Sequence, residues 1–336
     1  MRVFVTGATG WIGSAVVKDL LLSGYEVVGL TTTSEGARKL QALGAKARVG
    51  RLHEHDLLRE AAAESDGVIH TAFIHGLSNM SLPTRLRLFA GALNGGVVAS
   101  FLRILKETEK GAIGALGAGL EGSARPLVVA SGVLSLPQGR VSTERDDHVL
   151  TIPNRSFSEA AALDFVRRGV RSTVVRLAPT VHGAGEHGFV ARIIALARKK
   201  GVSPYIGDGA NRWPAVHVSD AARLFRLALE KGEAGAKFHG VDEAGVPLRD
   251  IASLIATRLK IPVVGIPASK AARHFGVIAP FIGFDNPASS EWTRDTLGWR
   301  PEQAQLLADM EAHYFESTSL RAAPRPIGEA NSGTVS

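Results

Sequence analysis

The 336-residue chain carries 39 Lys and Arg against 32 Asp and Glu, a formal net charge of +7, with 45% hydrophobic and 21% charged residues. That balance excludes a disordered polymer, and no run of about 18 uncharged apolar residues is available to cross a membrane. The absence of cysteine excludes disulfides and thiolate metal sites, and the scattering of basic residues without interleaved aromatics argues against nucleic acid as a partner.

The first segment, 2–6, is a short apolar strand with no basic-then-apolar leader before it, so a soluble, cytoplasmic protein is expected. Residues 12–22 carry apolar positions at helical spacing and stop at Gly24. A second strand follows at 26–30, a short helix at 37–43 closed by Gly44, a third strand at 46–49, a helix at 55–63 and a fourth strand at 67–71. This alternation with short loops predicts an α/β fold, a Rossmann-type doubly wound parallel sheet. The alanine-rich stretch 81–122 predicts two helices broken near Asn94-Gly95-Gly96, although five glycines between Gly111 and Gly122 work against helix there. Strand five is expected at 126–130, a helix at 158–168 and strand six at 172–177. Beyond Pro179 the pattern mixes helices with short strands, and turn clusters stand at Gly207-Asp208-Gly209 and Asp285-Asn286-Pro287. The expected organisation is a dinucleotide-binding domain over 1–180 with later strands returning to it, a small C-terminal substrate-binding lobe over 181–319, and a flexible tail over 320–336.

The strand at 2–6 runs directly into Gly7-x-x-Gly10-x-x-Gly13 and then into a helix. A pyrophosphate is best held by free backbone N–H groups at a helix N-terminus, where the helix dipole also favours an anion. Gly7 would make the tight turn, Gly10 would let the backbone approach the phosphates, and Gly13 would let helix pack on strand. No Gly-Lys-Ser/Thr follows, which excludes a P-loop. The strand-two end decides between NAD and NADP. No acid stands at its last positions, Thr31, Thr32 and Thr33, and Arg38 and Lys39 follow, so NADP(H) is favoured over NAD(H), with Glu35 the one nearby acid.

The segment Thr6-Gly7-Ala8-Thr9-Gly10-Trp11-Ile12-Gly13 resembles the extended branch of the short-chain dehydrogenase/reductase superfamily, the epimerase/dehydratase-like branch. His70-Thr71-Ala72-Phe73 resembles its His-x-Ala segment beside the nicotinamide ribose, and Ser131-Gly132 falls at the place of its catalytic serine. Arg176-Leu177-Ala178-Pro179-Thr180-Val181-His182-Gly183 is similar to its Arg-x-x-x-Val-Tyr-Gly segment, and Gly207-Asp208-Gly209 with Val216-His217-Val218-Ser219-Asp220 to the stretch that opens its substrate region. The resemblance implies NAD(P)-dependent hydride transfer to or from a small carbonyl-type substrate. It implies cofactor contacts from Gly7, Thr9, Gly10, Trp11, Ile12, Gly13, Thr31, Thr32, Thr33, Arg38, Leu52, Thr71, Ala72, Phe73, Ala130, Pro179 and Val181, and a monomer or a homodimer through helices at 81–120 and 155–168.

The chain departs from that pattern at the catalytic pair. The family's general acid is a tyrosine whose pKa is lowered by a lysine four residues on. Aligning Ser158-Glu159 with the family's Ser-Lys puts Arg155 at the tyrosine position and Glu159 at the lysine position, and none of the three tyrosines, Tyr25, Tyr205 and Tyr314, lies in that segment. Ser131, Arg155, Glu159, Tyr205 and His182 are therefore the candidate catalytic residues: Ser131 to hydrogen-bond a substrate oxygen, Arg155 to stabilise an oxyanion, His182 as a group titrating near neutrality, and Tyr205 as the tyrosine able to approach the site. Glu159 can equally close an i, i+4 surface bridge with Arg155. No His–carboxylate set has metal spacing, so no metal is expected. Three readings compete: an oxidoreductase with another proton donor, reduction of an activated imine or enone that needs a weaker acid, and a cofactor-binding redox sensor without turnover. An epimerase or isomerase of the same superfamily is the further alternative. The lobe's Phe189, Trp213, Phe281 and Phe284 hint at an apolar substrate rather than a sugar.

Overall fold

A computed structural model describes residues 1–73, 97–149 and 156–315. In chain order the first half is β1 (Arg2–Thr6), α1 (Trp11–Leu22), β2 (Glu26–Thr31), α2 (Ser34–Ala42), β3 (Lys46–Val49), α3 (His55–Ala63), β4 (Gly67–His70), α4 (Val97–Leu120), β5 (Pro126–Gly132), α5 (Ser156–Leu163) and β6 (Arg171–Leu177). The second half comprises β7 (Thr180–His182), α6 (Phe189–Lys200), β8 (Ser203–Ile206), β9 (Arg212–His217), α7 (Val218–Lys231), β10 (Lys237–Gly240), β11 (Glu243–Pro247), α8 (Leu248–Leu259), β12 (Val263–Ile266), two short helices α9 (Ala271–Phe275) and α10 (Ala279–Ile282), then α11 (Glu291–Leu297) and α12 (Leu306–His313).

Seven strands form one parallel sheet in the order β10-β6-β5-β4-β1-β2-β3. Alternation along β1 explains the two layers. Val3 and Val5 point to one face and pack with Val16, Leu20 and Phe225 of α1 and α7, while Phe4 points to the other and packs with Leu116 of α4 and Phe165. Both faces are covered, as a buried parallel sheet requires. The chain leaves β1 first toward β2 and later returns to its other side as β4, so a crevice opens at the carboxyl ends of β1 and β4, where doubly wound sheets bind ligands. A third core, built on Val190, Ile193, Trp213, Ile251, Ile255, Phe275 and Met310, belongs to the later segment, with β11-β9-β7 and β12-β8 as its small sheets.

The structure differs from the sequence expectations in three places. The 158–168 helix is α-helical only over Ser156–Leu163 and tightens into a 3-10 turn over Asp164–Arg168, closed by left-handed Gly169 at φ 71°. Such a tightened last turn before a left-handed glycine is a common helix ending. Strand five extends to Gly132, bringing Ser131 into the sheet beside Arg176 of β6. The glycine-rich stretch is helical without a break from Val97 to Leu120. A Cβ at Gly117 would stand 2.5 Å from the Phe165 ring, and one at Gly119 would stand 2.4 Å from the Arg59 carbonyl oxygen. These positions need the missing side chain, and close packing on α3 and Phe165 outweighs the low helix propensity of glycine. The break near Asn94-Gly95-Gly96 and the tail at 320–336 lie outside the described residues.

The same geometry predicts opposite outcomes for two Gly-to-Ala changes. A Cβ at Gly13 would sit 2.0 Å from the Gly7 carbonyl oxygen, whereas one at Gly114 of α4 meets nothing within 4 Å. Gly13→Ala should lower stability by about 1–3 kcal/mol or more. Gly114→Ala should raise it by roughly 0.5–1 kcal/mol through helix propensity. Urea unfolding midpoints of the two variants check both signs.

Candidate functional site

The first element of the site is the β1–α1 turn. Gly7 adopts φ 71°, a left-handed conformation, and its Cβ position is occupied by the backbone of Ala72 at 2.7 Å and by Thr71 Oγ1 at 2.9 Å. Gly10 donates its N–H to the Gly7 carbonyl at 2.8 Å and caps α1 with no side-chain acceptor on the first-turn N–H groups. No acidic residue occupies that first turn, so the positive end of the helix dipole faces outward uncompensated. Thr71 Oγ1 donates to the Thr6 carbonyl at 2.8 Å and locks β4 to the start of the turn. Thr9 is exposed on the turn, Ile12 packs back on the core, and Ala72 and Phe73 follow β4 beside it.

Beneath the turn runs a buried polar string. Thr6 Oγ1 bonds His70 Nδ1 at 2.7 Å, His70 Nε2 lies 3.3 Å from Glu109 Oε1 on α4, and Ser158 Oγ of α5 donates to the same oxygen at 3.0 Å. Above it, Trp11 spans to the segment after β6. Its indole N–H donates to the Val181 carbonyl at 3.0 Å, and its ring meets His187 edge-on at 6.1 Å. Pro179 and Val181 are thus carried to the same end of the sheet as the glycine turn.

At the end of β2, Thr31 is buried under Gly36, and Thr33 accepts from the Gly36 N–H at 3.0 Å as the N-cap of α2. One hydroxyl of the threonine run is therefore committed to the helix. Glu35 closes an exposed i, i+4 pair with Lys39 at 2.7 Å, while Thr32, Ser34 and Arg38 are exposed on the α2 N-terminal turn. Leu52 lies next to this edge, partly packed on the core, just after the Gly50 N–H bonds the Thr31 carbonyl at 2.8 Å.

The position of the family's lysine is where the structure corrects the sequence most. Glu159 does not stand on the surface, as a surface bridge would require. It is buried and grips the fully buried Arg176 in a fork, with Nε to Oε2 at 2.8 Å and Nη2 to Oε1 at 2.6 Å. His148 Nε2 donates to the Glu159 carboxylate, Oε2 at 3.0 Å, and its Nδ1 is hydrogen-bonded to the Ser135 hydroxyl on the other side of the ring. Arg176 also donates to the Asp146 carbonyl at 2.8 Å. Burial alone would raise the Glu159 carboxyl, but the hydrogen bonds from Arg176 and His148 outweigh it and hold it at about 2. Burial and the Arg176 charge push His239, on β10 behind the guanidinium, down to about 3, so it is neutral. Glu159 thus serves as an ionised anchor, not a proton donor. Arg155 lies outside the described residues. Ser131 is buried on β5, level with Arg176, and Ala130 precedes it in the strand.

Two further candidates find structural partners instead. His182 is buried on β7, donates from Nδ1 to Asp309 Oδ2 of α12 at 2.8 Å, and packs edge-on against His217 at 5.4 Å. Tyr205 sits on β8, its ring over Gly209 and Gly265 inside the lobe. The tyrosine that reaches the segment after β7 is Tyr314, whose hydroxyl accepts from the Gly183 N–H at 3.2 Å. Burial, followed by the Glu186 charge, pushes its pKa up. Glu186 in turn is raised by burial to about 7, although the Ala191 and Gly188 N–H groups donate to it. Sequence reading passed over Ser135, His148, Asp309 and Tyr314, and nothing local to them signals these long-range contacts. Among the described residues no group of three or more His, Asp or Glu is placed to hold a metal ion, and no helix is long and apolar enough to cross a membrane.

Comparison with known proteins follows the same lines. The profile of the NAD dependent epimerase/dehydratase family matches residues 3–90 and 157–241. The chain belongs to that family. It is 43% identical over 317 residues to an uncharacterized protein of Schizosaccharomyces pombe, covering 94% of this chain and 100% of the relative. It is 28% identical to the 4-hydroxy-2-methyl-3-oxo-4-farnesyl-3,4-dihydroquinoline-1-oxide ketoreductase of Stigmatella aurantiaca, over 82% of this chain and 80% of that one. The fold is that of the dTDP-glucose 4,6-dehydratase of Streptomyces venezuelae, solved with NAD, at TM-score 0.70 and 19% identity, over 94% of this chain and 96% of that structure. A nicotinamide dinucleotide suits the β1–α1 turn physically. The Cβ positions of Gly7 and Gly13 are filled by neighbouring backbone, and the uncapped N–H groups of α1 face outward.

The buried fork yields a prediction with a defined sign. Because the folded-state carboxyl of Glu159 is held below its ordinary 4.5 at about 2, its contribution is present above about pH 4.5 and is lost as pH falls toward 2. Glu159→Gln leaves Arg176 buried without its counter-charge and should cost about 3 kcal/mol at neutral pH. It should also flatten the acid limb of the stability curve. Urea melts at pH 7 and pH 3 read both effects.

Proposed function

We propose that this protein is an NAD(P)(H)-dependent oxidoreductase acting on a small carbonyl-type substrate, with NADP(H) preferred. The reading rests on one observation above the others. The glycine turn, with α1 left uncapped, opens at the same strand ends that present Ser131, and Trp11 ties that turn to the segment after β6. The bound nicotinamide supplies or accepts the hydride. Gly7, Gly10 and Gly13 give the diphosphate its backbone approach, and Ile12, Ala72 and Val181 exclude water around it. Ser131 orients the substrate oxygen by hydrogen bonding, and the sequence assigns Arg155 to the charge that develops there. Arg176, the arginine of the Arg-x-x-x-Val-Tyr-Gly-like segment, is neutralised by Glu159 at the family's lysine position. The ketoreductase relative acts, by its name, on a ketone, which favours a carbonyl substrate here. Thr32, Ser34 and Arg38 at the open turn of α2, with Glu35 drawn to Lys39, favour a 2′-phosphate over a bare ribose hydroxyl.

A second reading is favoured by the same ion pair. With Glu159 committed to Arg176 and no tyrosine before it, a protein that binds the cofactor and senses its redox state without turnover also fits the site.

Fluorescence titration with NADPH and NADH addresses the cofactor, and binding of neither would remove the proposal. Arg38→Ala should weaken NADPH about tenfold, the size of one charge-assisted contact, and leave NADH unchanged. Equal losses for both would assign Arg38 no part in the preference. Consumption of NADPH against ketones, imines and enones separates the readings, and tight binding with no turnover across the panel favours the sensor.

A further inference from the structure

The lobe carries an aromatic chain that runs outward from its core. Trp213 of β9 is fully buried, Phe189 at the start of α6 meets it edge-on at 5.4 Å, Phe281 of α10 meets Phe189 at 5.7 Å, and Phe284 meets Phe281 at 6.1 Å. Phe189 packs partly on the lobe core, whereas Phe281 and Phe284 stand half-exposed beyond it. Half-exposed rings in edge-to-face contact retain apolar surface that another ring system can cover.

Two members of this chain, Phe189 and Phe284, are tied to the cofactor side of the fold. Phe189 follows directly on the loop that carries Val181, bonded to Trp11, and His187, packed on Trp11. Phe284 precedes Asp285 and Asn286, and these two grip the exit of β5. The Gly139 N–H donates to the Asp285 carbonyl at 2.9 Å, and Asn286 Nδ2 donates to the Val133 carbonyl at 2.9 Å, two residues past Ser131. Phe284 therefore stands next in sequence to the residues that hold the β5 exit, and Phe189 shortly after the segment that Trp11 holds.

Charge in the same place argues against a diphosphate. The cation beside Phe284 is Arg212, and its guanidinium is closed on Asp285, Nε to Oδ1 at 2.9 Å and Nη2 to Oδ2 at 2.8 Å, with the Arg212 backbone N–H on Oδ1 as well. A phosphate would have to displace a bidentate carboxylate that the backbone also holds.

From this arrangement we infer that the substrate is a lipophilic, ring-bearing carbonyl compound, not a nucleoside-diphosphate sugar, and that its apolar body lies on Phe189, Phe281 and Phe284. The inference rests on the oxidoreductase reading above and narrows it. The test is equilibrium binding to protein saturated with NADP+, using 2-acetylnaphthalene and UDP-glucose as the two probes. The naphthyl ketone should bind at least tenfold more tightly than UDP-glucose, and Phe281→Ser and Phe284→Ser should each weaken it about tenfold through lost apolar contact. The NADP+ affinity of both variants should match the parent, which shows that they fold. Tighter binding of UDP-glucose, no binding of the ketone, or ketone affinity unchanged in both variants would overturn the inference. Failure of NADP+ itself to bind is read in the first step and strikes the oxidoreductase reading instead.

Discussion

The fork between Glu159 and Arg176 is the contact on which the β5–β6 side of the molecule is organised. It joins α5 to β6, and the remaining donors of the same guanidinium reach the carbonyls of Asp146 and, at 3.4 Å, Glu144. His148 closes the ring from that segment back to Glu159, and Ser135 holds His148 from the exit of β5. Removing either charge leaves the other stranded in a dry interior, a larger loss than the pair's own net worth. The strand ends around Ser131 are therefore framed by a contact made behind them.

The nucleotide half depends on sterics more than charge. Gly7 and Gly13 bring the α1 backbone against β1 and against Ala72, so the N–H groups of α1 stand at the mouth of the β1–β4 crevice. The backbone N–H groups of α1, rather than a lysine, are what the turn offers an anion. The two halves differ in tolerance as a result. The turn accepts almost any side chain at Thr9, which points outward, and none at Gly13. On the β5–β6 side, losing one partner of the buried pair costs more than replacing both together.

Much of the fold was legible in the sequence because its signals are local. Strand-to-glycine-to-helix order marked β1 and α1, and the seven-stranded parallel sheet follows from the alternation that continues to β6. Helix α4 ran against local propensity, since the reason for its glycines is the surface of α3 and the Phe165 ring, which lie elsewhere in the chain. At the site, the departure at Glu159 could be read from the motif, but its partner could not. Arg176 is 17 residues away on a different element, and an Arg in strand six gives no sign of what it faces. Tyr205 and Tyr314 show the same limit. The first stands near a recognisable Gly-Asp-Gly turn and packs inside the lobe, whereas the second, beyond every recognisable motif, reaches Gly183 because α12 returns to pair Asp309 with His182.

Trp11 belongs to both halves at once. Its backbone begins the helix that faces the diphosphate, and its indole holds the Val181 carbonyl 170 residues away. One side chain therefore fixes the spacing between the first helix of the sheet and the segment that leads into Phe189, so that two stretches far apart in the chain share a single point of attachment.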